Sequence, residues 1–319
     1  MFDIPASFAG ASTDDLVASQ SGIGAGRYAP SPTGELHVGN LRTALLAWLF
    51  ARSSGRRFLL RIEDLDTARV RPGMANQQRA DLAALGITFD GEPVVQSQRL
   101  AAYQHALLKL AGRTYECFCS RREIAKAALA PHGSVARYPG TCRNLTEAER
   151  IDRRRRRQPA LRLRADGAVQ TVHDLLYGDT TAEVDDVVLL RNDGVPAYNL
   201  AVVVDDAFSG VDQVVRGDDL RPVAATQAFL AELLGYPPPT YAHVPLAVNV
   251  DGRRLAKRDG AVTLPPTAVL GLIADSLDLA SPGERVSPVA LLERFDPERL
   301  PRSPWVVIPG NFTREEWLH

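Results

Sequence analysis

Between Arg27 and Asp66 apolar runs and polar turns follow one another in an order that predicts a βαβ unit. The segment GRYAP is short and apolar enough for a buried strand, and Pro30 stops it, because the residue before a proline avoids the helical region. PSPTGELHVGN follows as a loop. From Leu41 the apolar positions Leu41, Ala44, Leu45, Trp48 and Leu49 repeat at helical spacing until SSG ends the run at Gly55. RFLLRIEDLD returns as a strand with acids at its end. In such a unit ligands sit at the carboxyl ends of the parallel strands, and the helix N-terminus offers unpaired N–H groups to phosphate. Late in the chain the pattern thins: the 62 residues after Lys257 are rich in proline and hold one helical patch, AVLGLIADSLDLA.

Composition adds bounds. The 319 residues, 45% of them apolar, suffice for two domains or one large α/β domain with insertions. A formal net charge of -1 exerts no global pull toward nucleic acid or membrane, so any RNA contact has to come from a local basic surface. Residues 1–26 carry Asp3, Asp14 and Asp15 but no lysine or arginine, and SQSGIGAG reads as a flexible lead-in rather than a secretion signal. With no apolar window of membrane-spanning length, the expectation is a cytoplasmic protein. Three cysteines, Cys117, Cys119 and Cys142, argue against a disulfide framework and leave metal binding open.

Two positions in the βαβ unit carry candidate chemistry. His37 lies where the loop meets the helix, where an imidazole either donates to a phosphate or caps the helix, and Gly39 would let a flat base approach the backbone. Glu63, just past the apolar strand, is either a charged strand end or part of a site.

The string RYAPSPTGELHVGN is similar over fourteen consecutive residues to the signature of class I glutamyl-tRNA synthetases, in which H-x-G-N or H-x-G-H is the first of two ATP-binding motifs. RIEDLDTAR, LGITFDGEP, QSQR, CFCSRREI, YPGTCR, PALRLR, PAYNLAVVVDD and VVRGDDL follow in the family's order, over roughly residues 27 to 260. The resemblance implies an α/β, Rossmann-like catalytic domain with a parallel sheet. It would be divided into a flexible extension (1–26), a first catalytic half (27–115), a zinc-binding insertion (116–145), a second half with an acceptor-side insertion (146–249) and a K-M-S-K-S-like loop with a short C-terminal region (250–319).

By the same resemblance, L-glutamate is bound by Arg27, Tyr28, Ala29, Pro30, Ser31, Glu63, Tyr198 and Arg216, with Glu63 on the amino group and the arginines on carboxylate. Telling glutamate from glutamine requires a cation, since only the carboxylate makes charge-assisted hydrogen bonds. Tyr198 lies 18 residues before Arg216, the family spacing, although by itself Tyr198 would pass for core and Arg216 for a partner of Asp218 or Asp219. Val202 stands where many relatives carry asparagine on a strand after that tyrosine, so weaker glutamate binding is expected. ATP, with Mg2+, falls to His37, Gly39, Asn40, Arg254 and Lys257, with His37 and Lys257 catalytic. In DGRRLAKRDGAV, Lys257 matches the second lysine of the K-M-S-K-S loop, Arg254 replaces the first, and Ala256 and Arg258 replace both serines.

For one structural zinc, chemistry alone would add His132 to Cys117, Cys119 and Cys142, whereas the resemblance of YPGTC to the metal site of a short branch of the family points to Tyr138; buried free cysteines are the plain alternative. That branch lacks the helical anticodon domain, activates glutamate without tRNA and attaches it to queuosine in the anticodon loop of tRNA(Asp). The short region after Lys257 fits this expectation. The implied partners are L-glutamate, ATP and queuosine-bearing tRNA(Asp), and a monomer is expected. The competing readings are an atypical glutamyl-tRNA synthetase charging the tRNA 3′ end and a non-catalytic RNA-binding paralogue. The run Arg153 to Arg157 is either an RNA contact or a solvated helix end and stays outside the candidate site.

Overall fold

The computed structural model describes residues 22–120, 122–124, 137–255 and 266–308. Its elements run β1 (Ala25–Tyr28), α1 (Val38–Ser53), β2 (Arg57–Ile62), α2 (Met74–Ala84), β3 (Val94–Val95), α3 (Leu100–Lys109) and β4 (Thr114–Cys117). There follow α4 (Glu147–Arg154), β5 (Ala160–Leu163), β6 (Val169–Asp174), β7 (Gly178–Glu183), β8 (Val188–Leu190), α5 (Tyr198–Phe208), β9 (Gln213–Gly217) and α6 (Ala224–Leu233). The remainder is β10 (Thr240–Val244), β11 (Ala247–Val248), α7 (Pro266–Asp275), α8 (Pro288–Arg294) and β12 (Trp305–Val306).

The expected βαβ unit is present, with β1 buried throughout and paired in parallel with β2, Ala25 opposite Arg57 and Tyr28 opposite Leu60. Its helix begins at Val38, ahead of the first periodic residue Leu41. The first turn is held by a capping box: Asn40 N donates to Nδ1 of His37, and His37 N donates to Oδ1 of Asn40. Polar capping leaves no hydrophobic period to read, so the pattern shows the helix late. Gly26 lets α1 settle on the strand, since a Cβ there would stand 2.9 Å from that of Ala51.

β3 extends this sheet to β1-β2-β3, all parallel. A second sheet runs β7-β6-β10-β9, parallel except for the β6–β7 hairpin. The two meet edge to edge at β1 and β9, where an isolated parallel bridge joins Ala25 to Val211 and Asp212 N donates to Ala25 O at 3.1 Å. Strand order reverses across this seam, and such a reversal leaves a crevice at the carboxyl ends of the strands.

Two larger cores flank the sheets. One gathers Leu45, Trp48, Phe50, Phe58, Ile273 and Leu291 from α1, β2, α7 and α8; the other gathers Tyr103, Leu163, Leu189, Leu200 and Leu230 from α3, β5, β8, α5 and α6. The C-terminal region therefore holds a second helix beside the expected patch; α8 spans seven residues, too few for a period, and begins at a Ser287 cap followed by Pro288. A further correction concerns Val202, expected on a strand. It lies within α5, one turn after Tyr198, buried with Leu200, Ala201 and Val203 through Asp206. The three consecutive valines favour a strand locally, and burial against the second core overrides that preference. Among the described residues no helix is long and apolar enough to cross a membrane.

Candidate active site

A cavity of ≈ 750 Å³ opens at the carboxyl ends of β1, β2 and β9. Arg27, Tyr28, Ala29, Pro30 and Ser31 form one wall as the chain leaves β1; Glu63 enters from the end of β2, Tyr198 from the start of α5 and Arg216 from β9. His37, Gly39 and Asn40 at the head of α1, and Arg254 beyond β11, complete it. Every described residue that the sequence nominates for glutamate or ATP thus lines one space. Lys257, with Ala256 and Arg258, lies outside the described residues.

The amino-acid end is built on buried charge that the motifs do not reveal. Arg27, 5% exposed, donates from Nε to Oδ1 of Asp206 at 3.1 Å, and Arg61 shares that carboxylate while also donating to Oε1 of Glu63 at 3.1 Å. Burial would raise the Asp206 carboxyl, but Arg27 and Arg61 together hold it below its ordinary range. Glu63 goes the other way: burial lifts its carboxyl above the usual 4.5 against the pull of Arg61 and Arg27. The neighbouring acid Asp64 is occupied elsewhere, accepting from the N–H and hydroxyl of Ser97, so of the two adjacent acids only Glu63 lines the cavity.

Arg216 is not the partner of Asp218 or Asp219. Its Nε donates to Nε2 of His243 at 3.1 Å, its Nη1 to Oε1 of Gln227 at 2.6 Å and its Nη2 to Leu220 O at 3.3 Å, while Asp219 pairs with Arg254 at 2.7 Å. These three partners are neutral, whereas Arg27 already faces a carboxylate. With Glu63 ionised, the guanidiniums of Arg27, Arg61 and Arg216 exceed the carboxylates of Asp206 and Glu63 by one charge, complementary to a glutamate zwitterion and not to glutamine. Tyr198 is 40% exposed at the cavity rather than core. Tyr28 is 8% exposed, and its hydroxyl donates to Asn40 O, so that side chain braces α1.

At the head of α1 the cap reading of His37 holds and is compatible with the phosphate reading. As the cap its Nδ1 accepts from Asn40 N, which leaves the neutral imidazole with its proton on Nε2, a donor at the head of a helix whose N–H groups favour anions. Gly39 gives close packing rather than open space: a Cβ there would lie 3.0 Å from that of Ala247.

The three thiols also converge, the Sγ atoms of Cys117, Cys119 and Cys142 lying within 4.8 Å of one another. The hydroxyl of Tyr138 stands 3.3 Å from Cys117 Sγ and 3.6 Å from Cys119 Sγ, and Cys119 Sγ is 3.6 Å from Cys142 Sγ. A tetrahedral zinc with bonds of about 2.3 Å to sulfur and about 2.0 Å to oxygen sets its ligands roughly 3.5–3.8 Å apart, so this donor set fits the ion. His132 lies outside the described residues. The arginine run buttresses the cluster: Arg157 donates to Phe118 O at 2.7 Å, Arg154 pairs with Glu116 at 2.8 Å and Arg153 reaches Cys142 Sγ at 3.5 Å. Between cluster and active site lies a second cavity of ≈ 580 Å³, lined in part by Cys117, Cys119, Arg157 and Arg191 and sharing Ser31, Glu63 and Tyr198 with the first.

Sequence reasoning missed Asp206, Arg61, His243, Asp174 and Gln227. The adjacent acids closing the apolar run LAVVVDD were a usable signal, since a buried carboxylate in a helix demands a cation.

The chain is similar to known proteins over most of its length. A family model described as "tRNA synthetases class I (E and Q), catalytic domain" matches residues 25–271. A glutamyl-Q tRNA(Asp) synthetase of Nocardia farcinica is 61% identical over 295 residues, covering 89% of this chain and 93% of the relative. Another, of Cutibacterium acnes, is 49% identical over 310 residues, covering 90% of this chain and 89% of the relative. The crystal structure of a glutamate tRNA ligase from Elizabethkingia meningosepticum in complex with its amino acid superposes with a TM-score of 0.74 at 27% identity, covering 92% of this chain and 68% of that one. The chain belongs to the class I tRNA synthetases of the glutamate and glutamine group and, within it, to the glutamyl-Q tRNA(Asp) synthetase family.

Proposed function

We propose that this ligase activates L-glutamate with Mg-ATP, without tRNA, and transfers the glutamyl group to queuosine in the anticodon loop of tRNA(Asp). In the first step an oxygen of the α-carboxylate attacks the α-phosphorus, the bond to the bridging oxygen breaks, and pyrophosphate leaves with the electron pair. In the second a hydroxyl of the modified base attacks the acyl carbon and AMP departs. Arg216 holds the side-chain carboxylate, Glu63 the ammonium, and Arg27 the carboxylate end of the substrate. His37 donates to phosphate from the head of α1, and Lys257 neutralises the charge growing on the leaving pyrophosphate.

The observation that carries the reading is the convergence on one cavity of the Arg216 guanidinium with neutral partners, the Glu63 carboxylate and a helix N-terminus. The adjoining cavity supports it, offering the acceptor nucleoside a place against Glu63 and Tyr198. We assign one structural zinc to Cys117, Cys119, Tyr138 and Cys142. When bound it would tie thiolates and a phenolate into one knot, of which Cys117 and Cys119 line the second cavity.

The test is twofold. Glutamate-dependent pyrophosphate exchange should proceed with no tRNA present, and labelled glutamate should pass to tRNA(Asp) bearing queuosine but not to the unmodified tRNA. Strict dependence of exchange on tRNA, or equal labelling of both tRNAs, would remove the proposal.

A further inference from the structure

Behind Arg216 lies a pair of buried groups that line neither the cavity nor any other element of the reaction. His243, on β10, is 0% exposed and Asp174, at the end of β6, is 2% exposed. Arginine can only donate, so Nε2 of His243, which faces Arg216 Nε at 3.1 Å, must carry a lone pair. The imidazole proton then sits on Nδ1, 2.5 Å from Oδ2 of Asp174. Asp174 is fixed in turn by the backbone: its Oδ1 accepts from Leu176 N at 2.8 Å and Tyr177 N at 3.1 Å, and its Oδ2 from His243 N at 3.3 Å.

We infer that Asp174 and His243 form a positioning relay that aims Arg216 at the side-chain carboxylate of the substrate while keeping its charge available. The contrast with Arg27 gives the reason. A carboxylate placed directly on a guanidinium, as Asp206 is on Arg27, holds it firmly but cancels its charge. At Arg216 the imidazole stands between, so the guanidinium is held by a neutral acceptor and the Asp174 charge is one ring further away. Gln227 repeats the device at Nη1, itself held by donation from its Nε2 to Oδ1 of Asn199 at 2.8 Å.

The relay works only while His243 is neutral. Protonation puts an N–H on Nε2, facing the N–H of Arg216, and sets two cations side by side. Besides Arg216 and Asp174, the groups acting on His243 are Arg221 and Asp218 from the turn after β9, and Tyr241 stacks on it from its own strand at 5.5 Å. Burial, with Arg216 and Arg221, keeps its pKa below the usual 6.5 against the pull of Asp174.

The inference rests on Arg216 contacting the substrate, and the experiment separates the two. A tRNA-free readout is available in glutamate-dependent pyrophosphate exchange, measured across pH for Arg216→Ala, His243→Phe, Asp174→Asn and His243→Gln. His243→Phe and Asp174→Asn should raise the KM for glutamate about tenfold to a hundredfold, the loss expected for a hydrogen bond to a charged group, with the KM for ATP unchanged. His243→Gln, whose amide oxygen accepts but does not titrate, should recover most of that affinity. The ratio of wild-type to His243→Gln KM should rise as pH falls through a value below 6.5; Glu63 titrates in both proteins and drops out of the ratio. An Arg216→Ala variant with unaltered glutamate kinetics would sink the reading of Arg216 itself. Loss in Arg216→Ala with none in His243→Phe and Asp174→Asn would overturn the relay alone. So would parallel pH profiles for wild type and His243→Gln, an arm that stands even where His243→Phe does not fold.

Discussion

Among single residues, Arg216 and Glu63 carry the sharpest expectations. Breaking one side of a buried ion pair costs about 3–5 kcal/mol, so Arg216→Ala should lower kcat/KM for glutamate by roughly two to four orders of magnitude. Activity toward glutamine should change far less, and an equal loss for both substrates would show that Arg216 does not read the side-chain charge. Glu63 must be ionised to hold an ammonium, and burial keeps its carboxyl above the ordinary 4.5. Affinity for glutamate should therefore be lost as pH falls through a value above 4.5, with Glu63→Gln weak and flat over that range. These two positions were legible because each sits in a contiguous string. Asp206 and Arg61, 145 positions apart in the chain, were not: their pairing is set by how α5 packs beside β2, which no local pattern records.

At the scale of elements, local pattern succeeded where hydrophobic contact makes the element and failed where polar or distant contacts do. The body of α1 was readable from Leu41, its first turn was not, and the valines of α5 pointed to a strand that packing made a helix. The metal knot shows the same division. Spacing drew attention to Cys117, Cys119 and Cys142, but the antiparallel pairing of β4 with β5, Cys117 opposite Ala160, and the arginines of α4 and the residues after it are what bring the strands and loop together. Metal analysis should give one zinc per chain in the wild type and a clear deficit in Tyr138→Phe, with His132→Ala unaffected. A deficit in the histidine variant instead would transfer the fourth position to His132. Stripping the metal with a chelator should also lower the melting temperature, because structural zinc binding contributes directly to folding free energy.

For the molecule as a whole, the seam between β1 and β9 sets how the two halves can move. One main-chain bridge, Ala25 with Val211, joins the sheets there among the described residues, while Arg27 and Arg61 reach Asp206 and Arg56 reaches Asp212 across it, so the main-chain pairing at the seam is expected to open more readily than the ladders within either sheet. Glu63 belongs to one half and Arg216 to the other. A glutamate gripped by both, as proposed, would span the gap like a staple and oppose their parting. Hydrogen–deuterium exchange reads this directly at the amide of Asp212, which donates across the seam to Ala25. At a glutamate concentration a hundred times Kd, exchange there should slow about a hundredfold, while the β6–β7 hairpin, remote from the seam, keeps its rate. Uniform slowing across both would mean that the sheets breathe as one body. A glutamate bound as proposed would in that sense be a structural member of the sheet for as long as it stays.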